Sequence, residues 1–198
     1  MKTFLSILLV SVSMGFVACS SNNSSSDESS TASTETASED PKTTDRDVQK
    51  NTGSINDVIT HYLHLKDALT NDNGSEGAAA AKEIKGALTK VDESSLTPEQ
   101  KKIYDDLKDD IKEHAEHIGA NGGDIKHQRE HFDLLSNDMI DLVKATGSTQ
   151  TLYKDFCPMY NNKKGASWLS ETKEIKNPYY GKEMPKCGIV KEEIKAKG

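Results

Sequence analysis

Two short runs near the end of the chain gather the side chains best suited to soft-metal or redox chemistry, Cys157-Pro158-Met159 and Met184-Pro185-Lys186-Cys187. Two thiols and two thioethers in mirrored order make a soft ligand set, which selects cuprous or silver ions over harder divalent metals. The same cysteines, 30 positions apart, can instead close a disulfide in an oxidising compartment, which would contribute roughly 3 to 4 kcal/mol by restricting the unfolded chain. Zinc is a third candidate for the thiols. A disulfide would explain the cysteines and leave Met159 and Met184 as packing, whereas a Cu(I) site would use all four residues.

The six histidines form three pairs, His61 with His64, His114 with His117, and His127 with His131. Residues three or four apart share a helix face and can chelate a metal. Counting about 100° per residue, His64 falls opposite its helix's apolar stripe and His61 at the margin, which reads as a solvated pair. His114 falls in the third helix's stripe with His117 on its edge; His131 flanks the fourth stripe and His127 lies farther out. These four read first as boundary histidines satisfied by hydrogen bonds. In second place, His114, His127 or His131 would add a nitrogen ligand to the Cys/Met set.

The run His127-Gln128-Arg129-Glu130-His131 also matches H-x-x-E-H, a zinc-protease signature in which glutamate activates water. Such enzymes need a further ligand downstream and a sheet-built cleft, and the sequence after His131 supplies neither in recognisable form. No P-loop, dinucleotide-binding glycine run or G-x-S-x-G elbow occurs. The expectation is a non-enzymatic protein.

Four helices must position these residues. Ile55, Val58, Ile59, Tyr62, Leu65 and Leu69 recur at helical spacing, and Asn71-Asp72-Asn73-Gly74 ends that helix. Ala80, Ile84, Ala87, Leu88 and Val91 form a narrow second stripe. Thr97-Pro98-Glu99-Gln100 is a capping box with proline at the first helical position, opening a stripe of Ile103, Leu107, Ile111, Ala115 and Ile118. The fourth helix starts near Asp124, carries Ile125, Phe132, Leu135, Met139, Leu142 and Val143, and ends at Gly147. The predicted fold class is all-α, a four-helix antiparallel bundle over 54–146 with an irregular Cys/Met-containing C-terminal segment packed on it. The expected core includes Ile84, Leu88, Leu107, Ile111, Phe132, Leu135 and Met139, with Trp168 buried against it. Leu152 to Cys157 reads as extended, which would point Cys157 and Met159 the same way; Asn177-Pro178-Tyr179-Tyr180-Gly181 reads as a turn.

The chain has 198 residues, a net charge of −7, 34% hydrophobic and 29% charged residues, which suits one modest domain with tails. Basic residues are interspersed with acids, so no nucleic-acid surface is expected. At the N-terminus, Lys2, an apolar stretch from Phe4 to Val17 and Phe16-Val17-Ala18-Cys19 resemble the lipobox of bacterial lipoproteins. That resemblance implies a signal peptide at 1–18, lipidation at Cys19, and an outer-membrane anchor facing the periplasm in preference to the cell surface. Residues 19–53 are nearly all small, polar or acidic, too poor in apolar area to fold, and read as a disordered tether. The folded part is then 54–198.

The pattern C-P-M, G-A-S-W-L-S, I-K-N-P-Y-Y-G, M and C-G, preceded by Y-L-H-L-K-D-A-L and H-Q-R-E-H-F-D-L-L-S, resembles domain-of-unknown-function family 3347 over about Val58 to Val190. Its motif residues here are Cys157, Pro158, Met159, Trp168, Asn177, Pro178, Tyr179, Gly181, Met184, Cys187 and Gly188. The family comprises small lipoproteins of this layout and domains at the C-termini of periplasmic adaptors of copper and silver efflux pumps. The resemblance implies heavy-metal handling as a scavenger or chaperone, with Cu(I) or Ag(I) as cargo and metal-efflux components as partners. The alternative expectation is an interaction module held by a Cys157 to Cys187 disulfide.

Overall fold

The computed structural model describes residues 54–197. The expected signal peptide at 1–18, the expected lipidation residue Cys19 and the expected tether at 19–53 lie outside the described residues. Four long helices come first, α1 (Ile55–Thr70), α2 (Gly74–Leu88), α3 (Pro98–Ala120) and α4 (Ile125–Thr146). They form a helical bundle in which α1 packs on α2, α2 on α3 and α3 on α4.

Local chemistry sets the helix boundaries. Ser54 N–H donates to Asp57 Oδ2 at 2.7 Å ahead of α1. Asn73, expected to help end the first helix, also starts the second by accepting from Glu76 N–H. The Thr97 capping box forms as read, with Gln100 N–H on Thr97 Oγ1 and Thr97 N–H on Gln100 Oε1. Asp124 caps α4, and Gly147, at φ 85°, ends it. Gly74 is required by a close approach: a Cβ there would lie 2.7 Å from the carbonyl oxygen of Gly122 in the α3–α4 turn.

Most of the stripe positions bury as their spacing predicts; Val91, Ile103, Leu107 and Ile125 are only half-buried. Ile84, Leu88, Ile111, Phe132, Leu135 and Met139 are in the core, but Leu107 is only half-buried at its edge. Tyr104, one turn earlier on α3, takes the deeper position and donates its hydroxyl to Leu88 O at 3.1 Å. The stripe read from the sequence omits Tyr104, whose polar end is satisfied inside the core by a helix-terminal carbonyl.

The C-terminal segment corrects the all-α expectation. It holds a three-stranded antiparallel sheet in the order β2-β1-β3, formed by β1 (Leu152–Cys157), β2 (Ala166–Ser170) and β3 (Ile189–Ile194). The central β1 pairs Asp155 with Trp168 of β2 and, past an irregularity at Lys154/Asp155, with Val190 of β3. The β1–β2 connection turns through Asn161 and Asn162, both in the left-handed region, which asparagine tolerates better than most residues. The buried face of β2 packs on α4 and α1. Trp168 is fully buried, as expected.

One further local expectation fails. Cys157 and Met159 do not share a face, because β1 ends at Cys157 and Met159 already has helical backbone angles (φ −86°, ψ −23°). Cys157 is fully buried, and Met159 is 43% exposed.

Candidate metal centre

The terminal cysteines do converge. Cys157 Sγ and Cys187 Sγ are 3.0 Å apart, and both are unbridged thiols. The end of β1 supplies Cys157, and a chain of backbone and side-chain hydrogen bonds delivers Cys187. Asn177, fully buried, accepts at Oδ1 from Tyr179 N–H (2.8 Å) and Tyr180 N–H (3.1 Å) and donates from Nδ2 to Cys187 O at 2.6 Å. Its own N–H donates to Pro185 O, and Cys187 N–H donates to Met184 O, closing the Met184 to Cys187 turn. Gly188, at φ 154°, lets the chain pass Trp168, since a Cβ there would meet the indole at 2.8 Å.

The backbone of both methionines lies beside Cys187, and that of Met159 touches its thiol. Met184 O accepts from Cys187, Met159 O accepts the Tyr180 hydroxyl at 3.0 Å, and the Met159 backbone bonds the Cys187 sulfur. The hydrogen bond with Cys157, followed by burial, pushes the Cys187 thiol up to about 11. Cys187 is therefore protonated at neutral pH, and a metal would have to displace that proton.

The fit to a soft ion can be judged from distance. Two thiolates on one tetrahedral metal, with bonds of about 2.3 Å, lie about 3.8 Å apart, and farther on a linear ion; a disulfide needs about 2.0 Å. The observed 3.0 Å lies between these values. A modest opening of the Met184 to Cys187 turn would bring the thiols to a metal-binding separation, and a modest closing, with two protons and two electrons lost to an external oxidant, would let them form a bridge. The donor types fit a soft ion.

An anchor fixes this segment to the helices. Arg129 of α4 donates from Nε to Pro178 O (2.7 Å) and from Nη2 to Leu69 O (2.9 Å) and Asp72 Oδ1 (2.6 Å). Asp72 Oδ2 accepts from Lys182 N–H at 3.1 Å. Burial alone would raise the Asp72 carboxyl, but the bonds from Arg129 and Lys182 outweigh it and hold the group below its usual range. Gly181 is required at this node: a Cβ would lie 2.0 Å from Asp72 Oδ1.

The histidines gather elsewhere. His114 and His117 on α3 face His127 and His131 on α4. His114 Nδ1 and His131 Nδ1 are 3.3 Å apart, and the rings of His117 and His131 stack at 4.2 Å. One ring nitrogen from each of His117, His127 and His131 lies within 4.8 Å of the others. Burial lowers the His114 and His131 pKa values, and the other three imidazoles lower that of His131 further. Among the described residues no such grouping joins these histidines to the cysteines. His61 and His64 stay apart from the cluster, with His64 bonded to Glu76 at the surface.

The H-x-x-E-H run divides its work by direction. His127 and His131 turn toward α3; Gln128 donates to Gly74 O and Ile118 O; Arg129 reaches the terminal segment. His117 is the residue the wheel undervalued. Its position on the edge of one stripe carries no special signal until the neighbouring helix brings two more imidazoles beside it.

Residues 58–151 match the model of the family described as "Protein of unknown function (DUF3347)". The match takes in most of α1, all of α2 to α4 and every histidine, and it ends before β1 is under way. The resemblance read from the sequence ran on to Val190; the matched span stops short of both terminal cysteines. No curated protein and no solved structure matches the chain. No helix among the described residues is long and apolar enough to cross a membrane.

Proposed function

We propose that this protein is a non-enzymatic, lipid-anchored periplasmic binder of Cu(I) or Ag(I) that acts as a scavenger or chaperone in metal homeostasis. The observation that carries the reading is the approach of Cys157 and Cys187, 30 positions apart, to 3.0 Å between sulfurs. Met159 and Met184 supply thioethers from the same two runs, and soft donors of this kind favour monovalent soft ions. Cys19 would carry the anchor, on the outer membrane and facing the periplasm, and metal-efflux components would be the partners. We read α1 to α4 as a four-helix antiparallel bundle, a reading supported by their short connections and sequential packing. In this reading the helices are the rigid support and the terminal segment is the binding element.

The test is anaerobic titration of the reduced full-length chain with Cu(I) against a competing chelator. Tight binding that disappears in the Cys157→Ser, Cys187→Ser double variant is the expected result. Unchanged binding in that variant would remove the thiols from the site.

A second reading is favoured by the complete burial of Cys157. In it, the cysteines form a structural disulfide and the protein is an interaction module. Thiol counting on protein isolated from an oxidising compartment separates the two, because two free thiols per chain contradict the bridge.

A further inference from the structure

We propose that His117, His127 and His131, with His114 beside them, form a second metal site that takes a borderline divalent ion such as Zn(II) and works independently of the thiols. The argument starts from the donors. Imidazole nitrogen suits Zn(II), Cu(II) and Ni(II), whereas thiolate and thioether suit Cu(I). A cluster with nitrogen donors only therefore selects a different ion from the Cys/Met segment.

Geometry supports the assignment. Nitrogens bound at about 2.05 Å to one tetrahedral ion lie about 3.3 Å apart, and His114 Nδ1 and His131 Nδ1 already have a separation of 3.3 Å. The nitrogens of His117, His127 and His131 span at most 4.8 Å, so rotation of the rings about their side-chain bonds suffices to close the set. The parallel stack of His117 on His131 would open into a fan around the ion. All four residues stand on long helices, which hold ligands more firmly than loops do. His117 is exposed and the other three are half-buried, leaving the ion a path in from solvent.

Carboxylates stand behind the imidazoles. Glu130 lies 3.6 Å from His127 Nδ1, and Asp138 lies 3.9 Å from His114 Nε2. These separations are longer than hydrogen bonds; small ring rotations on metal binding would bring each carboxylate onto the second nitrogen, where it would orient a ligating histidine. The cluster thus has ligands, support and access within the α3–α4 pair, and it lies wholly within the span matched by the family. It requires nothing from β1 or the terminal turns, so it stands whether the cysteines hold copper, close a disulfide or do neither.

The test is titration of the untagged full-length chain with Co(II), a spectroscopic stand-in for Zn(II), followed by displacement with Zn(II). The expected result is a visible tetrahedral d–d band without thiolate-to-cobalt charge transfer, unchanged in the Cys157→Ser, Cys187→Ser variant and in His61→Ala, His64→Ala. Loss of an outer partner alone costs a metal site about 10- to 100-fold in affinity, so His117→Ala and His131→Ala should each lose at least about tenfold. His117 is exposed, so its variant should keep the wild-type circular dichroism even if His131→Ala does not fold. The proposal is overturned if the folded wild type gives no such band, if His117→Ala binds as tightly as wild type, or if the cysteine or His61/His64 variant abolishes binding. Failure of the Cu(I) titration with this cobalt result intact would sink only the thiol reading.

Discussion

The helices and the terminal sheet are held by different kinds of interaction. From α1 to α4 the chain buries continuous apolar stripes, in which many side chains each contribute a part and neighbours can compensate for one another. From Leu152 onward the segment relies on a few residues with several jobs: Asn177 ties three backbone groups, Arg129 grips the segment from outside, and Trp168 fills its centre. The difference teaches where each candidate site can be altered. The histidines sit on the redundant part and should survive most single substitutions nearby, whereas the thiols sit on the part that a single side chain can undo.

Phe132 is the place to ask whether the two regions are energetically one. It stacks on Tyr62 of α1 at 5.4 Å and meets Tyr179 of the terminal segment at 5.6 Å. Phe132→Ala should cost about 3–5 kcal/mol. Denaturation followed by circular dichroism, for the helices, and by Trp168 fluorescence, for the sheet, should still give coincident transitions. Separate transitions would mean that the sheet is an independent appendage and that the helices do not preorganise the thiols.

Asn177→Ala probes the stitched region alone. It strands Tyr179 N–H, Tyr180 N–H and Cys187 O, some of them away from water, and should cost about 2–3 kcal/mol, since buried unsatisfied groups are each expensive but not additive. Cys187 should react faster with a thiol reagent, while Co(II) binding at the histidines stays as in wild type. Slowed or unchanged thiol reaction would show that the turn is held by something other than Asn177.

The two regions also differed in how much their sequence revealed. Helix stripes and the Thr97 capping box are local signals, and most apolar positions read from them are buried. The sheet is non-local: β1 is flanked by strands that follow 9 and 32 residues after Cys157. β2 buries Ala166, Trp168, Leu169 and Ser170 without clean alternation, and β3 is exposed along most of its length. Neither carries the period-two pattern that marks a strand. The convergence of Cys157 and Cys187 was legible as a pairing of residue types, but the turn that carries Met159 to the surface was not. The four-histidine cluster was legible as pairs on separate helices, and only the packing of α3 on α4 joins them.

Within the helical part, Leu107→Ala should cost about 1–2 kcal/mol, less than the roughly 2–5 kcal/mol expected for a fully buried aliphatic such as Ile111. Equal losses at the two positions by chemical denaturation would show that the α3 edge is drier than its exposure implies.

Asp155 sets the expected effect most dependent on pH. It lies on the central strand, opposite Trp168, fully buried, and neither carboxylate oxygen has a hydrogen-bond partner. Burial pushes its pKa up to about 7; the Lys66 charge pulls it down, and Glu171 pushes it up again. Because the folded value is raised, the unfolded chain releases this proton near pH 4 while the folded chain keeps it to about pH 7. The group's contribution is therefore fully present below pH 4 and is lost as pH rises through that window. Asp155→Asn cannot ionise and should remove this slope, leaving the variant more stable than wild type above pH 7. Thermal melts at pH 5 and pH 8 read the effect directly. A wild-type slope that persists in Asp155→Asn would assign the titration to another buried group.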